Sequence, residues 1–137
     1  MTIIGQNDGQ NSGSAMAYRR ISGSLTEVDI TLNFGASVAR SEIHVYTIEG
    51  AKNDTPYDAH FPAGGGGGSR SATLDIPAGG GAIAVAYDGG SGSWTNATED
   101  FQLDESSCAS HMTDTLLSSY VIGCGSSVRT IGAASWR

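Results

Sequence analysis

The chain has 137 residues, a formal net charge of −7 and only 15% charged residues, set against 20 glycines. Its length suits one domain with a real core, and its acidic balance excludes a nucleic-acid surface, because phosphate contacts need clustered Lys and Arg. No stretch approaches the ~20 apolar residues of a membrane-spanning helix, and the opening MTIIGQNDGQNSG has neither a basic start nor a long apolar run, so synthesis in a cytoplasm is expected.

Period two dominates the chain, and period 3.6 is almost missing. Residues 1–12 are polar and read as an extended N-terminal arm. Ala15–Ile21, AMAYRRI, is a first candidate strand. Leu25–Phe34, LTEVDITLNF, alternates strictly. Val28, Ile30, Leu32 and Phe34 point one way, and Glu27, Asp29, Thr31 and Asn33 the other, which predicts a half-buried strand. Ser41–Ile48, SEIHVYTI, is rich in β-branched and aromatic residues and predicts the next strand. Ser71–Ile76 alternates again and stops at Pro77. Ala82–Tyr87, AIAVAY, is apolar on both faces and predicts a central strand. Glu99–Leu103 and Cys108–Met112 follow. Thr113–Leu117 is the one candidate helical turn, with Thr113 as its N-cap. Ser119–Cys124 and Val128–Trp136 close the series. Short strands every ~10 residues, separated by Gly, Asn, Asp and Ser, predict an all-β antiparallel two-sheet sandwich. A jelly roll of eight or nine strands fits best, as a single domain over residues 1–137.

PAGGG occurs twice, at Pro62–Gly66 and Pro77–Gly81, and the first copy runs on into five consecutive glycines, Gly64–Gly68. A phosphate-binding loop needs a Lys, a Ser or Thr and then a helix after its last glycine. Here Ser69, Arg70 and a strand follow. Both runs therefore read as loops at the ends of the sandwich, with Pro ending one element and Gly supplying positive φ. The longer run is expected to be mobile or to order against a partner.

The residues that carry chemistry are sparse. HExxH, GxSxG and CxxC are missing. His44, His60 and His111 make a hydrolase only if the fold gathers them. Cys108 and His111 stand three apart on one strand and so point to opposite faces. Cys108 and Cys124 read as buried small hydrophobes, with a disulfide as the alternative if their strands pair. Asp8 and Asp88 lie in NDGQNSG and DGGSGS, which are turn chemistry rather than calcium loops. No cofactor or metal is expected, and no enzyme activity. Of the aromatic residues, Trp94 in GGSGSWTNATED is the candidate for a carbohydrate platform, with capping of the core edge as the alternative. Trp136 reads as docking the last strand.

The second half resembles small virion proteins of tailed bacteriophages. The matching residues are Ala84–Tyr87, which end an apolar strand, Gly92–Trp94, Thr98–Phe101 and the closing Ala133–Trp136. The resemblance spans residues 82–136 and implies a β-sandwich scaffold. It further implies a capsid decoration or cement protein, made in the host bacterial cytoplasm and carried on the virion surface. The expected partner is the major capsid protein, with a homo-oligomer, a trimer for example, at quasi-threefold axes. Thr2, Ile3, Ile4, Gln6, Asn7, Tyr57, His60 and Phe61, drawn from the two polar, glycine-rich stretches, are the expected docking residues. A carbohydrate-binding module that attaches to surface glycans through Trp94 is the competing expectation.

Overall fold

A computed structural model describes residues 1–9, 12–21, 23, 27, 29–88, 93–103 and 106–137. The chain is all-β and antiparallel. Among the described residues, nine strands run in the order β1 (Thr2–Gly9), β2 (Ser12–Tyr18), β3 (Asp58–His60), β4 (Gly68–Ile76), β5 (Gly80–Asp88), β6 (Trp94–Thr95), β7 (Thr98–Leu103), β8 (Ser106–Thr113) and β9 (Leu117–Trp136).

β9 is the spine. The two strands expected at Ser119–Cys124 and Val128–Trp136 are one continuous strand of 20 residues. Along one edge it pairs first with β4, from Leu117↔Ile76 to Val128↔Gly68, and then with β3, from Ala133↔His60 to Ser135↔Asp58. Along the other edge it pairs with β6 at Gly123 and Cys124, and then with β5 from Val128↔Asp88 to Trp136↔Gly81. β8 extends the sheet beyond β5, and β7 beyond β8. Between the two stretches lies Ser127, with φ of 63°. The spine bends there and folds its first half over its second.

The bend encloses the core. Ala72, Leu74 and Ile76 of β4 and Ile122 of β9 meet Ala82, Ala84 and Ala133 from the other half of the sheet. Ala86, Cys124, Val128 and Ile131 form a second cluster near the bend. Three alanines on the inner face of β5 keep that layer thin, so the larger Leu and Ile side chains opposite can interdigitate. AIAVAY is central as expected, with β8 on one side and β9 on the other.

The seam between β3 and β4 is closed by side chains in place of a ladder. The backbone N–H groups of Thr73 and Asp75 donate to His60 Nδ1 at 2.8 Å and Asp58 Oδ2 at 2.7 Å. The buried Ser135 hydroxyl donates to the Asp75 carbonyl at 2.6 Å. These contacts satisfy the outer edge of β4, which would otherwise be an open template for pairing.

Residues 2–9, read from the sequence as part of an arm, form one half of a hairpin with β2. The hairpin packs against β9 and β5. A third layer thus covers the outer face of the central sheet, which is why residues 130–136 are buried on both faces.

Two predicted strands are not in a ladder. Of LTEVDITLNF, Leu25, Thr26 and Val28 lie outside the described residues, and residues 29–34 carry no strand pairing. SEIHVYTI is likewise unpaired, although its burial alternates residue by residue from Ser41 to Thr47. The helical turn expected at Thr113–Leu117 is a hydroxyl-closed bend, in which Thr113 Oγ1 accepts from the Thr115 N–H at 3.1 Å. Pro77–Gly80 forms a tight turn, closed by Gly80 N–H to Pro77 O at 3.0 Å, with Gly79 at φ of 67°. Positive φ at the third residue alone is the type II pattern that favours glycine there.

Candidate functional site

The densest side-chain chemistry lies on the outer face of β8. Ser106 and Cys108 alternate on that face, and residues 42–46 cross above them. The Ser106 hydroxyl donates to Glu42 Oε2. His44 Nε2 lies 2.7 Å from Ser106 Oγ, and His44 Nδ1 lies 3.6 Å from Cys108 Sγ. One proton arrangement satisfies every member: Cys108 S–H to Nδ1, Nε2–H to Ser106, and Ser106 O–H to Glu42. The imidazole also meets the Phe101 ring edge-on, with centroids 5.2 Å apart. The Tyr46 hydroxyl donates to Asp100 Oδ2 at 2.7 Å and lies beside the Cys108 sulfur.

The order sulfur, imidazole, hydroxyl, carboxylate has the layout of a nucleophile with its base. Its electrostatics oppose that use. Cys108 is 2% exposed, and burial pushes its thiol up, with Asp100 adding to the rise against a lowering hydrogen bond from Tyr46. The thiolate, which is the reactive form, is therefore suppressed. The cluster acts as a latch that holds residues 42–46 against β7 and β8.

Two measurements follow from the latch. Burial, then the neighbouring Cys108 and Asp100, drive the Tyr46 phenol far above its ordinary 10.0. With both acids raised in the folded chain, the unfolded chain loses protons first. Their stabilisation is complete below the ordinary thiol value of 9.0 and declines as pH climbs past it towards the folded values. Urea midpoints at about pH 8 and about pH 10.5 should therefore fall, and Tyr46→Phe with Cys108→Ala should flatten the fall. An equal slope in the double variant refutes the assignment. Second, Cys108 and Cys124 are both buried thiols outside any disulfide. Both should resist a thiol reagent, and His44→Ala should speed labelling of Cys108 about tenfold by loosening the latch. Cys124 serves as the internal control.

The glycine run has a different purpose from the one its composition suggested. None of Gly64–Gly68 is among the residues with positive φ. The run instead wraps the Arg70 side chain. Arg70 donates from Nε to Val128 O at 3.1 Å, and from its terminal nitrogens to Ala63 O at 3.0 Å and Gly66 O at 3.2 Å. A Cβ on Gly65 would sit 2.4 Å from the guanidinium, and one on Gly67 3.3 Å from the Ser127 Cα. Glycine is needed there for close approach at the bend of β9. Beside it lies a shallow depression of about 270 Å³, lined by Ser69, Arg70, Ser71, Thr95 and Gly123–Gly125.

The expected docking residues divide. Thr2, Ile3 and Gln6 are exposed on β1, opposite Tyr18, Ala17 and Ala15, while Ile4 is half-buried at a bulge. Asn7 pairs with Ser14 through its backbone. Tyr57 is 49% exposed, and its N–H is held by Ser135 O at 2.7 Å. His60 and Phe61 are committed inside the chain: His60 closes the β3–β4 seam, and the Phe61 ring lies between the backbones of Gly5 and Gly132. Trp94 packs on both core clusters, and its buried indole N–H has no partner among the described residues. It is half-buried at the edge of the core.

The three histidines have separate partners: His44 the latch, His60 the seam, and His111 the Tyr120 ring, at 4.6 Å between centroids. As expected, Cys108 and His111 fall on opposite faces of β8. The pairing of Cys108 with His44 was not visible in the sequence, because 64 residues separate them. Among the described residues, no group of three or more His, Cys, Asp and Glu has the placement to hold a metal.

No family model matches the chain, and no curated protein and no solved structure is significantly similar to it.

Proposed function

We propose that this chain is a non-enzymatic virion protein that decorates the outside of a tailed-phage capsid and bridges major capsid protein subunits. The observation that carries this reading is the pairing of a latched β body with a segment outside the ladders, residues 31–48, most of whose apolar side chains face solvent. Leu32, Phe34, Val38, Ile43, Val45 and Ile48 are 42–66% exposed. Such a surface suits docking on another protein. The two most defined depressions, about 270 and 190 Å³, fall short of the ~300 Å³ at which small-molecule pockets begin. The resemblance of residues 82–136 supplies the setting. Binding to the assembled shell alone would stabilise it by mass action, and many copies on one lattice gain from multivalency.

Co-sedimentation with purified phage shells tests this. Saturation at a fixed ratio of copies to capsid subunits is expected, with no signal on a glycan array. Glycan binding without shell binding would replace the proposal with the carbohydrate module. That alternative would rely on the half-buried Trp94 and the exposed Tyr57.

A further inference from the structure

The chain has three histidines, and each presents Nδ1 to a partner. Two of these partners can reverse their role. Nδ1 of His111 lies 3.2 Å from the Tyr120 hydroxyl, and Nδ1 of His44 lies 3.6 Å from the Cys108 thiol. A hydroxyl or thiol accepts as well as donates, so such a contact survives a proton on the ring. The partner of His60 has no such freedom. Its Nδ1 accepts from the Thr73 backbone N–H at 2.8 Å, and an amide N–H only donates. This bond exists only while Nδ1 is bare.

We propose that the β3–β4 seam is an acid-sensitive closure, shut while His60 is neutral and opened at Thr73 when Nδ1 takes up a proton. A neutral imidazole has one bare nitrogen, so the added proton goes to the atom that Thr73 occupies, and two donors then face each other. His60 is half-buried rather than sealed, so water delivers that proton without unfolding the chain. The charged groups at the seam favour the uptake. Asp58, on the same strand, reaches across to the Asp75 N–H at 2.7 Å, and the Asp75 carboxylate of β4 is held by the Ser119 N–H at 2.7 Å. The other neighbours do not titrate: β9 sets Ala133 opposite His60 and Val121 opposite Thr73, and β1 meets the adjoining Phe61 through Gly5. Two carboxylates attract a proton to the ring. Both strands take their ladders from β9, so opening is local and leaves those ladders in place. It returns the outer edge of β4 at Thr73 to the state of an open template. The open seam binds one more proton than the closed one. Closure is therefore complete above the ordinary imidazole value of about 6.5 and weakens about tenfold for each pH unit below it. The inference is independent of the decoration reading.

The test is amide exchange of the full chain, read residue by residue by nuclear magnetic resonance at about pH 7.5 and about pH 5.5 and corrected for the intrinsic pH dependence of exchange. The proteins are the wild type, His60→Asn and His111→Asn. Protection of the Thr73 amide should fall about tenfold from the higher pH to the lower in the wild type and in His111→Asn. In His60→Asn the side-chain oxygen takes the place of Nδ1 and does not titrate, so Thr73 should show equal protection at both. Circular dichroism should not change over this range, because the ladders persist. Equal protection of Thr73 at the two pH values in the wild type overturns the proposal, as does a tenfold fall that persists in His60→Asn. A second measurement needs no variant: the Thr73 amide signal of the wild type should titrate with the same midpoint as the His60 ring. Separate midpoints overturn the proposal whatever the substitution does to the seam.

Discussion

Gly132→Ala is expected to destabilise the fold by about 2 kcal/mol, although alanine for glycine within a strand ordinarily helps. At a compatible site the exchange gains about 0.4–1 kcal/mol by restricting the unfolded chain. Here the new Cβ would lie 2.3 Å from the Phe61 ring. The ring cannot retreat, because a Cβ built on Gly5 behind it meets the same ring at 2.3 Å. Overpacking of this kind costs about 1–3 kcal/mol, which outweighs the backbone gain. Phe61→Ala alone should cost about 3 kcal/mol through the space it empties. Combined, the two changes should cost clearly less than their sum, because the methyl then enters that space. Denaturant unfolding of the two single variants and the double variant measures this. Strict additivity, or a neutral Gly132→Ala, would show that the ring does not sit between the two glycines.

Arg70→Ala carries the second large effect, an expected loss of about 2–3 kcal/mol. The guanidinium binds three carbonyls, those of Ala63, Gly66 and Val128, and hydrogen bonds to a charged donor contribute about 1.5–3 kcal/mol each when well shielded. Two of the three are exposed, which limits the total. Arg70→Lys should not restore the loss, because one ammonium cannot span three separated acceptors as the planar fork does. The glycines around it should respond unequally. Gly65→Ala meets the guanidinium and should be costly. Gly66→Ala and Gly68→Ala face open space and should be neutral or slightly stabilising. Amide exchange across residues 63–68 gives the local readout. Equal tolerance at all three glycines would mean that Arg70 does not organise the run.

Where alternation stayed within one packed layer, the sequence was readable. AIAVAY, SATLDI and the closing AASW sit in ladders as their pattern implied, because burial on one or both faces leaves one solution. LTEVDITLNF and SEIHVYTI have equally good alternation, yet the described residues of neither are paired. Alternation records that one face meets something apolar and is silent on whether that something is the same chain. The latch was hidden for another reason. His44 and Cys108 are brought together by the crossing of two distant segments, and local spacing carries no trace of such a crossing. The glycine run was placed correctly in a loop but explained by the wrong property. Positive φ accounts for Gly79, whereas Gly65 and Gly67 answer to the proximity of Arg70 and Ser127. Arg70 itself, a lone basic residue beside a run of glycines, was the available hint.

The long spine also dictates a timetable. Strands β3, β4, β5 and β6 all take their ladder partners from β9, so none of these pairings can form on the ribosome until residues 117–136 have emerged. Until then β4 carries Leu74 and Ile76 with no ladder to join, and the alanine row of β5 has only β8 beside it, an exposed state prone to aggregation. Pairings as distant as Asp58 with Ser135 close large loops, and such topologies fold in milliseconds to seconds rather than microseconds. A nascent chain stalled before residue 117 should accordingly be protease-sensitive over β3, β4 and β6, whose ladder partner is β9 alone, and protection there should arrive once the spine is released.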